Sequence, residues 1–237
     1  MMFRLGLRRV PVLTLVVFAV TAAVSLCQLT FAPRLLADLE RTPAGLHGDW
    51  WRTITTMTVQ DGGWEGGLSN LLFLLALGAY AEQLVPRWRW AAGYLGAGLV
   101  GQFVAYSWQP TGGGNSVANC GLAAIIVMAV LARVEGIPVI APPLAALWLG
   151  VLLATWRYPL VLVGLVAVWA WQIGVAQRWG WLRYALFAFA VAVGVLLCVV
   201  QNIHGAAILA GLVIAAVPGP GPLPAGNVEG ESWRPIR

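Results

Sequence analysis

The sequence predicts an all-α fold: a polytopic membrane helical bundle with about eight transmembrane helices. Composition is the first reason. Of the 237 residues, 60% are apolar and only 10% charged, whereas soluble domains carry about 25% charged residues. The second reason is a series of apolar runs, each approaching the ~20 residues a tilted helix needs to cross a bilayer. The third is where tryptophan and arginine fall. Trp50, Trp51, Trp88, Trp90, Trp156, Trp179 and Trp181 stand at run ends, as interfacial belts require. The net charge of +5 comes mainly from arginines near the same ends, which is a topology signal and not a nucleic-acid footprint.

Taken in order, Arg4, Arg8 and Arg9 precede an apolar run over about 10–30. A secretory signal core is about 7–15 residues long, so this longer run is expected to stay as the first span. The string Val24-Ser25-Leu26-Cys27 is a poor lipoprotein cleavage site, because Leu26 is bulky where a small residue belongs. A first extracytoplasmic loop over about 31–66 holds His47, Asp49, Trp50, Trp51, Arg52 and the turn Asp61-Gly62-Gly63. Loops this long are usually functional or disordered. The second span is expected over about 67–84, followed by the basic turn Pro86-Arg87-Trp88-Arg89. The third, about 90–108, carries Gly93, Gly96, Gly98 and Gly101, small residues that let helices approach closely. The fourth covers about 116–134.

Four further runs follow, at about 138–156, 158–177, 181–201 and 203–217, giving eight spans. With both termini cytoplasmic, Arg87, Arg89, Arg133, Arg178, Arg183, Arg234 and Arg237 all fall inside, while Arg34, Arg41, Arg52 and Arg157 fall outside. Residues 1–217 then form one transmembrane domain, and the Pro/Gly-rich 218–237 reads as a disordered cytoplasmic tail. The expected location is the cell membrane. Cys27, Cys120 and Cys198 lie in apolar segments with neither metal-ligand spacing nor a disulfide framework, so no metal or cofactor is expected.

One stretch stands out chemically. Gly112-Gly113-Gly114-Asn115 leads straight into the fourth span, whose first residue is Ser116. The simple reading is that Ser116 caps the helix, since serine is a favoured cap. The alternative is a nucleophile at a helix N-terminus, where unpaired backbone N–H groups favour negative charge. That reading needs a base on another span. One of the two histidines, His204, lies inside the last apolar run, where an ionisable residue defaults to function and a partner. Ala207 and Gly211 follow on one helix face, allowing the close contact a Ser–His pair requires. On the eight-span topology both residues sit at outer ends of spans running inward.

Three separated motifs now give the chain a resemblance to the rhomboid family of intramembrane serine proteases. Trp51-Arg52 with Thr55 and then Gly62-Gly63-Trp64 is similar to the family's first-loop pattern. Asn70-Leu71-Leu72-Phe73 with Gly78 and Glu82 resembles its second span. Residues 114–122, with Gly114, Ser116 and Gly121, are similar to its nucleophile segment, and His204 with Gly211 to its base helix. The resemblance implies a rhomboid-like core, Ser116 as nucleophile and His204 as base in a dyad without a carboxylate. It implies Asn70 in the oxyanion hole, and Trp51 and Arg52 as interfacial anchors of the first loop. The implied activity is serine endopeptidase cleavage of membrane-anchored protein substrates near the outer face. Expected partners are such transmembrane proteins and the lipid bilayer, with no nucleic acid.

The chain departs from that pattern in four places. Gly66 stands where the family has a second oxyanion-hole residue, a histidine, and one such donor is worth about 2.7–4 kcal/mol. Val117 replaces the glycine after the nucleophile, and Cys120 stands where an aromatic is common. The interval from Ser116 to His204 leaves room for two helices beyond a six-span core. An alternative alignment with Cys120 as nucleophile is disfavoured: it loses Gly114 and Gly121, and places the thiol one turn deeper in apolar surroundings. The alternative functions are a catalytically impaired relative that binds transmembrane helices and a transporter. The second has no clear inverted repeat and few intramembrane charges to support it.

Overall fold

The structure is a computed structural model that describes residues 7–156 and 180–217. Among them it is all-helical, with an isolated β-bridge between Arg41 and Gly112. The long helices match the apolar runs: α1 (Val12–Thr30), α4 (Gly63–Leu84), α7 (Ser116–Leu131), α8 (Ala141–Trp156), α9 (Leu182–Val199) and α10 (Ile203–Ala216). The third run is continuous but composite. It comprises α5 (Arg87–Ala91), a π-helical turn Ala92–Gly96 and α6 (Ala97–Trp108). The expected span at 158–177 and the tail at 218–237 lie outside the described residues. By length and composition, Val12–Thr30 and Leu182–Val199 are long and apolar enough to cross a membrane, and Ser116–Leu131, Ala141–Leu153 and Ile203–Ala216 are shorter apolar helices.

Helix α7 is the axis of the bundle. Its residues from Val117 to Val130 are buried with the sole exception of Met128, as expected of a helix that is apolar all round. Helices α4, α6, α8, α9 and α10 pack around it. Outward-facing Val16, Leu72, Phe103, Val199 and Val213 remain exposed, the pattern of a surface that faces lipid. Close helix crossings rely on missing side chains. A Cβ on Gly121 of α7 would lie 1.9 Å from the carbonyl oxygen of Gly93, in the π turn. The Gly93 backbone thus lies against α7 within the π turn.

Polar clamps hold α1 at both ends. At its start, the buried Glu82 carboxylate accepts from the Leu13 N–H (3.1 Å), the Thr14 N–H (2.8 Å) and the Thr14 hydroxyl (2.9 Å). These are first-turn N–H groups with no intrahelical acceptor, and a negative charge suits that end of the dipole. Near the other end, Ser25 donates to the Thr58 carbonyl (2.8 Å), and Gln28 exchanges two hydrogen bonds with the Gln60 backbone (2.8 and 3.1 Å).

Two regions read from the sequence have a definite internal structure. The loop at 31–66 is built, with helices α2 (Arg34–Leu39) and α3 (Arg52–Thr55) and two short 3-10 turns. Within it Arg52 is turned inward: it pairs with Asp49 at 3.2 Å and donates to the Ala37 and Glu40 carbonyls. Arg52 is therefore a staple of the loop's own backbone, while Trp51 stays exposed. Trp90 does not present its ring to the surroundings. It is buried, stacks on Tyr94 with ring centroids 5.2 Å apart, and donates its indole N–H to the Gly78 carbonyl at 3.0 Å.

Candidate active site

The Gly-rich stretch before α7 is held by the first loop on one side. The Gly112 carbonyl accepts from the Arg41 N–H and from the Thr56 hydroxyl, at 3.0 and 2.7 Å. The Gly113 carbonyl accepts from Asp61 N–H at 3.1 Å, and Gly114 N–H donates to the Thr56 carbonyl at 2.8 Å. Gly114 has φ +156°, and a Cβ there would stand 3.4 Å from the Asn70 amide nitrogen and 3.6 Å from Ser116 Oγ. Glycine thus keeps the space between Asn70 and Ser116 open.

Ser116 does not cap its helix. Asn115 occupies the N-cap position, without a side-chain capping bond, and Ser116 is the first helical residue. The Ser116 hydroxyl instead meets His204 Nε2 at 2.8 Å, across 88 residues of sequence. His204 is the second residue of α10, so the N-terminal ends of α7 and α10 meet and the two helices run side by side in one direction. Their contact is kept short further down by Gly211, where a Cβ would lie 2.9 Å from Ala124 Cβ and 3.0 Å from Gly121 Cα. Val117 is accommodated because Gly101 faces it: a Cβ on Gly101 would lie 3.2 Å from Val117 Cβ.

The other ring nitrogen of His204 has a partner that sequence reasoning missed. Nδ1 lies 2.6 Å from Asn202 Oδ1, and the same oxygen accepts the His204 backbone N–H at 3.0 Å. Asn202 is the N-cap of α10. An asparagine just before a helical apolar run is a readable cap signal, but a search for a carboxylate passes over it.

Asn70 lies beside Ser116, within a network of neutral amides. It donates to Gln60 Oε1 at 2.8 Å, and its backbone carbonyl accepts from Asn119 (3.0 Å) and Asn115 (3.3 Å). Gln60 donates in turn to Asn115 at 2.8 Å. The Asn70 amide therefore has one N–H engaged and a second to offer. Gly66, one turn earlier on α4, has no atom within 4 Å of the place a Cβ would take.

A cavity of about 100 Å³ adjoins the pair, lined among others by Arg41, Asp61, Gln102, Gly114, Ser116 and His204. Arg41 is the second missed residue. It is buried, and donates to the Gln109 and Thr111 carbonyls and to Gln102 Oε1. Burial lowers its guanidinium pKa, opposed by Tyr106, Asp61 and Glu40; an arginine remains charged all the same. Cys120 is fully buried one turn below Ser116, its sulfur 3.3 Å from the Ser116 carbonyl.

A family model of the rhomboid domain matches residues 47–174, more than half of the chain. The chain belongs to the rhomboid family. It is accordingly an integral membrane protein of a family generally composed of intramembrane serine proteases. The matched segment contains Trp51, Arg52, Asn70, Gly114, Ser116 and Gly121; His204 and Gly211 lie beyond it. No curated protein matches this rhomboid chain. Among the described residues of this rhomboid protein there is no cluster of His, Cys, Asp and Glu able to hold a metal ion.

Proposed function

We propose that this protein is an intramembrane serine endopeptidase in which Ser116 is the nucleophile and His204 the general base. The observation that supports it most is the 2.8 Å contact of Ser116 Oγ with His204 Nε2, made by two helix N-termini far apart in sequence. A nucleophile and base within hydrogen-bond reach are the first requirement of such chemistry. The serine hydroxyl gives its proton to Nε2 as Oγ attacks the carbonyl carbon of a peptide bond. The proton then passes to the leaving amine as the C–N bond breaks, and water hydrolyses the acyl-enzyme by the same route in reverse. The oxyanion would be met by N–H groups of the first turn of α7, which lack intrahelical acceptors, and by the free N–H of Asn70.

The substrate class is a transmembrane protein cleaved near the outer face. It rests on the eight-span arrangement expected from the arginine distribution, with both termini cytoplasmic and the Ser116 and His204 ends of α7 and α10 outside. A second reading, a catalytically impaired protein that binds transmembrane helices, draws on Gly66, which offers no donor in the place of the family's histidine.

Cleavage of a model single-span substrate in proteoliposomes separates the two. Wild-type and Cys120→Ala proteins should cleave, and Ser116→Ala and His204→Ala should not. Cleavage that survives Ser116→Ala would remove the serine from the mechanism. Folded wild type that binds the substrate without cutting it would favour the second reading.

A further inference from the structure

We infer that Asn202 is a positioning residue of the site, holding the Nδ1–H of His204 so that Nε2 faces Ser116 without a proton. This rests on the reading of Ser116 and His204 as nucleophile and base, and it adds a third member to what the sequence presents as a dyad. The argument begins with the identity of one atom. The side-chain atom of Asn202 nearest His204 receives the His204 backbone N–H at 3.0 Å. A backbone N–H only donates, so that atom is the amide oxygen and not the nitrogen.

The same oxygen lies 2.6 Å from Nδ1. An amide oxygen only accepts, so Nδ1 carries the hydrogen, and in a neutral imidazole Nε2 then holds the lone pair. Ser116 Oγ, 2.8 Å from Nε2, is consequently the donor of that bond. This is the direction in which the serine proton must travel. With the opposite tautomer, Nε2–H would point at the hydroxyl and no base would be available.

The backbone of Asn202 is fixed on both sides. Its N–H donates to the Leu197 carbonyl at 2.8 Å, and its carbonyl accepts from Gly205 N–H at 3.0 Å. Gln201, in a left-handed conformation (φ +56°), makes the turn from α9 that delivers it there. One side chain therefore caps α10 and sets the histidine tautomer. It does so without adding a charge, which suits a site where an unpaired carboxylate would be costly to bury. Asparagine serves the same orienting role in the Cys-His-Asn arrangement of papain-like proteases.

The test uses the 237-residue chain, which has two histidines, His47 and His204. With ¹⁵N-labelled histidine rings, the wild type should show His204 protonated at Nδ1 and bare at Nε2. Asn202→Ala should shift it to the other tautomer or a mixture, and Asn202→Asp, which keeps both acceptor contacts, should restore Nδ1–H. Fluorophosphonate labelling of Ser116 should fall about 10²-fold in Asn202→Ala, within the roughly 10⁴-fold a wrong tautomer costs a triad, and recover in Asn202→Asp. A wild-type His204 protonated at Nε2, or a tautomer and labelling rate unmoved by Asn202→Ala, would overturn the inference. The wild-type spectrum needs no variant to fold. A correct wild-type tautomer without any labelling would sink the protease reading while leaving the orientation of His204 by Asn202 standing.

Discussion

Gly211 of α10 rests on Gly121 of α7, close enough that a Cβ on Gly211 would lie 3.0 Å from the Gly121 Cα. That contact lies along the same two helices whose ends bring Ser116 and His204 together. The helix separation at the site is therefore set partly by two glycines more than a turn below it.

Gly211→Leu should push the two helices apart. A misplacement of about 1 Å can cost roughly 10²-fold in rate, and fluorophosphonate labelling of Ser116 should fall by that order while the protein remains helical. Gly211→Ala should have a smaller effect in the same direction. Unchanged labelling in folded Gly211→Leu would mean that the site is held together from elsewhere.

The empty place beside Gly66 can be filled. Nothing lies within 4 Å of a Cβ there, and the position is one turn before Asn70 on α4. Gly66→His is expected to add an oxyanion donor and speed cleavage by at most about 10²–10³-fold, the worth of one such donor. A rate identical to that of the wild type would show that the hole is completed by other groups.

Topology is open to a direct measurement. Reporter fusions placed after Arg157 and after Asn202 should both report the outer side of the membrane. An inside signal from either would remove the eight-span arrangement, and with it the outer-face location proposed for cleavage.

The parts of this protein legible in its sequence are those set by local pattern. The Gly-rich lead into Ser116 places the start of α7 at that residue, and the small residues after His204 read correctly as a tight helix contact. The π turn at Ala92–Gly96 leaves no trace, because one extra residue in an apolar helix changes neither its composition nor its flanks. Trp90 next to a basic turn has the composition of an interfacial anchor, and only the stacked Tyr94 and the Gly78 carbonyl explain its burial. Arg41 counted as a topology charge. Its real partners, Gln102, Gln109 and Thr111, are more than sixty residues away, beyond the reach of any periodicity argument. Asn202 was visible as a cap, but its second contact depends on how the imidazole of His204 is turned.

The network that ties α1, the first loop, α4 and α7 together around the site is made of Gln28, Gln60, Asn70, Asn115 and Asn119. None of these side chains gains or loses a proton between strong acid and strong base. Of the cavity-lining side chains only Arg41, Asp61 and His204 carry ionisable groups, and arginine stays charged throughout. This amide network is thus blind to acidity, and acidification reaches the walls of the site through carboxylates such as Asp61, which accepts the Gly113 N–H at 3.1 Å. Labelling of Ser116 that is lost at low pH should return in full on neutralisation, as it would from a titrating imidazole beside an intact amide network.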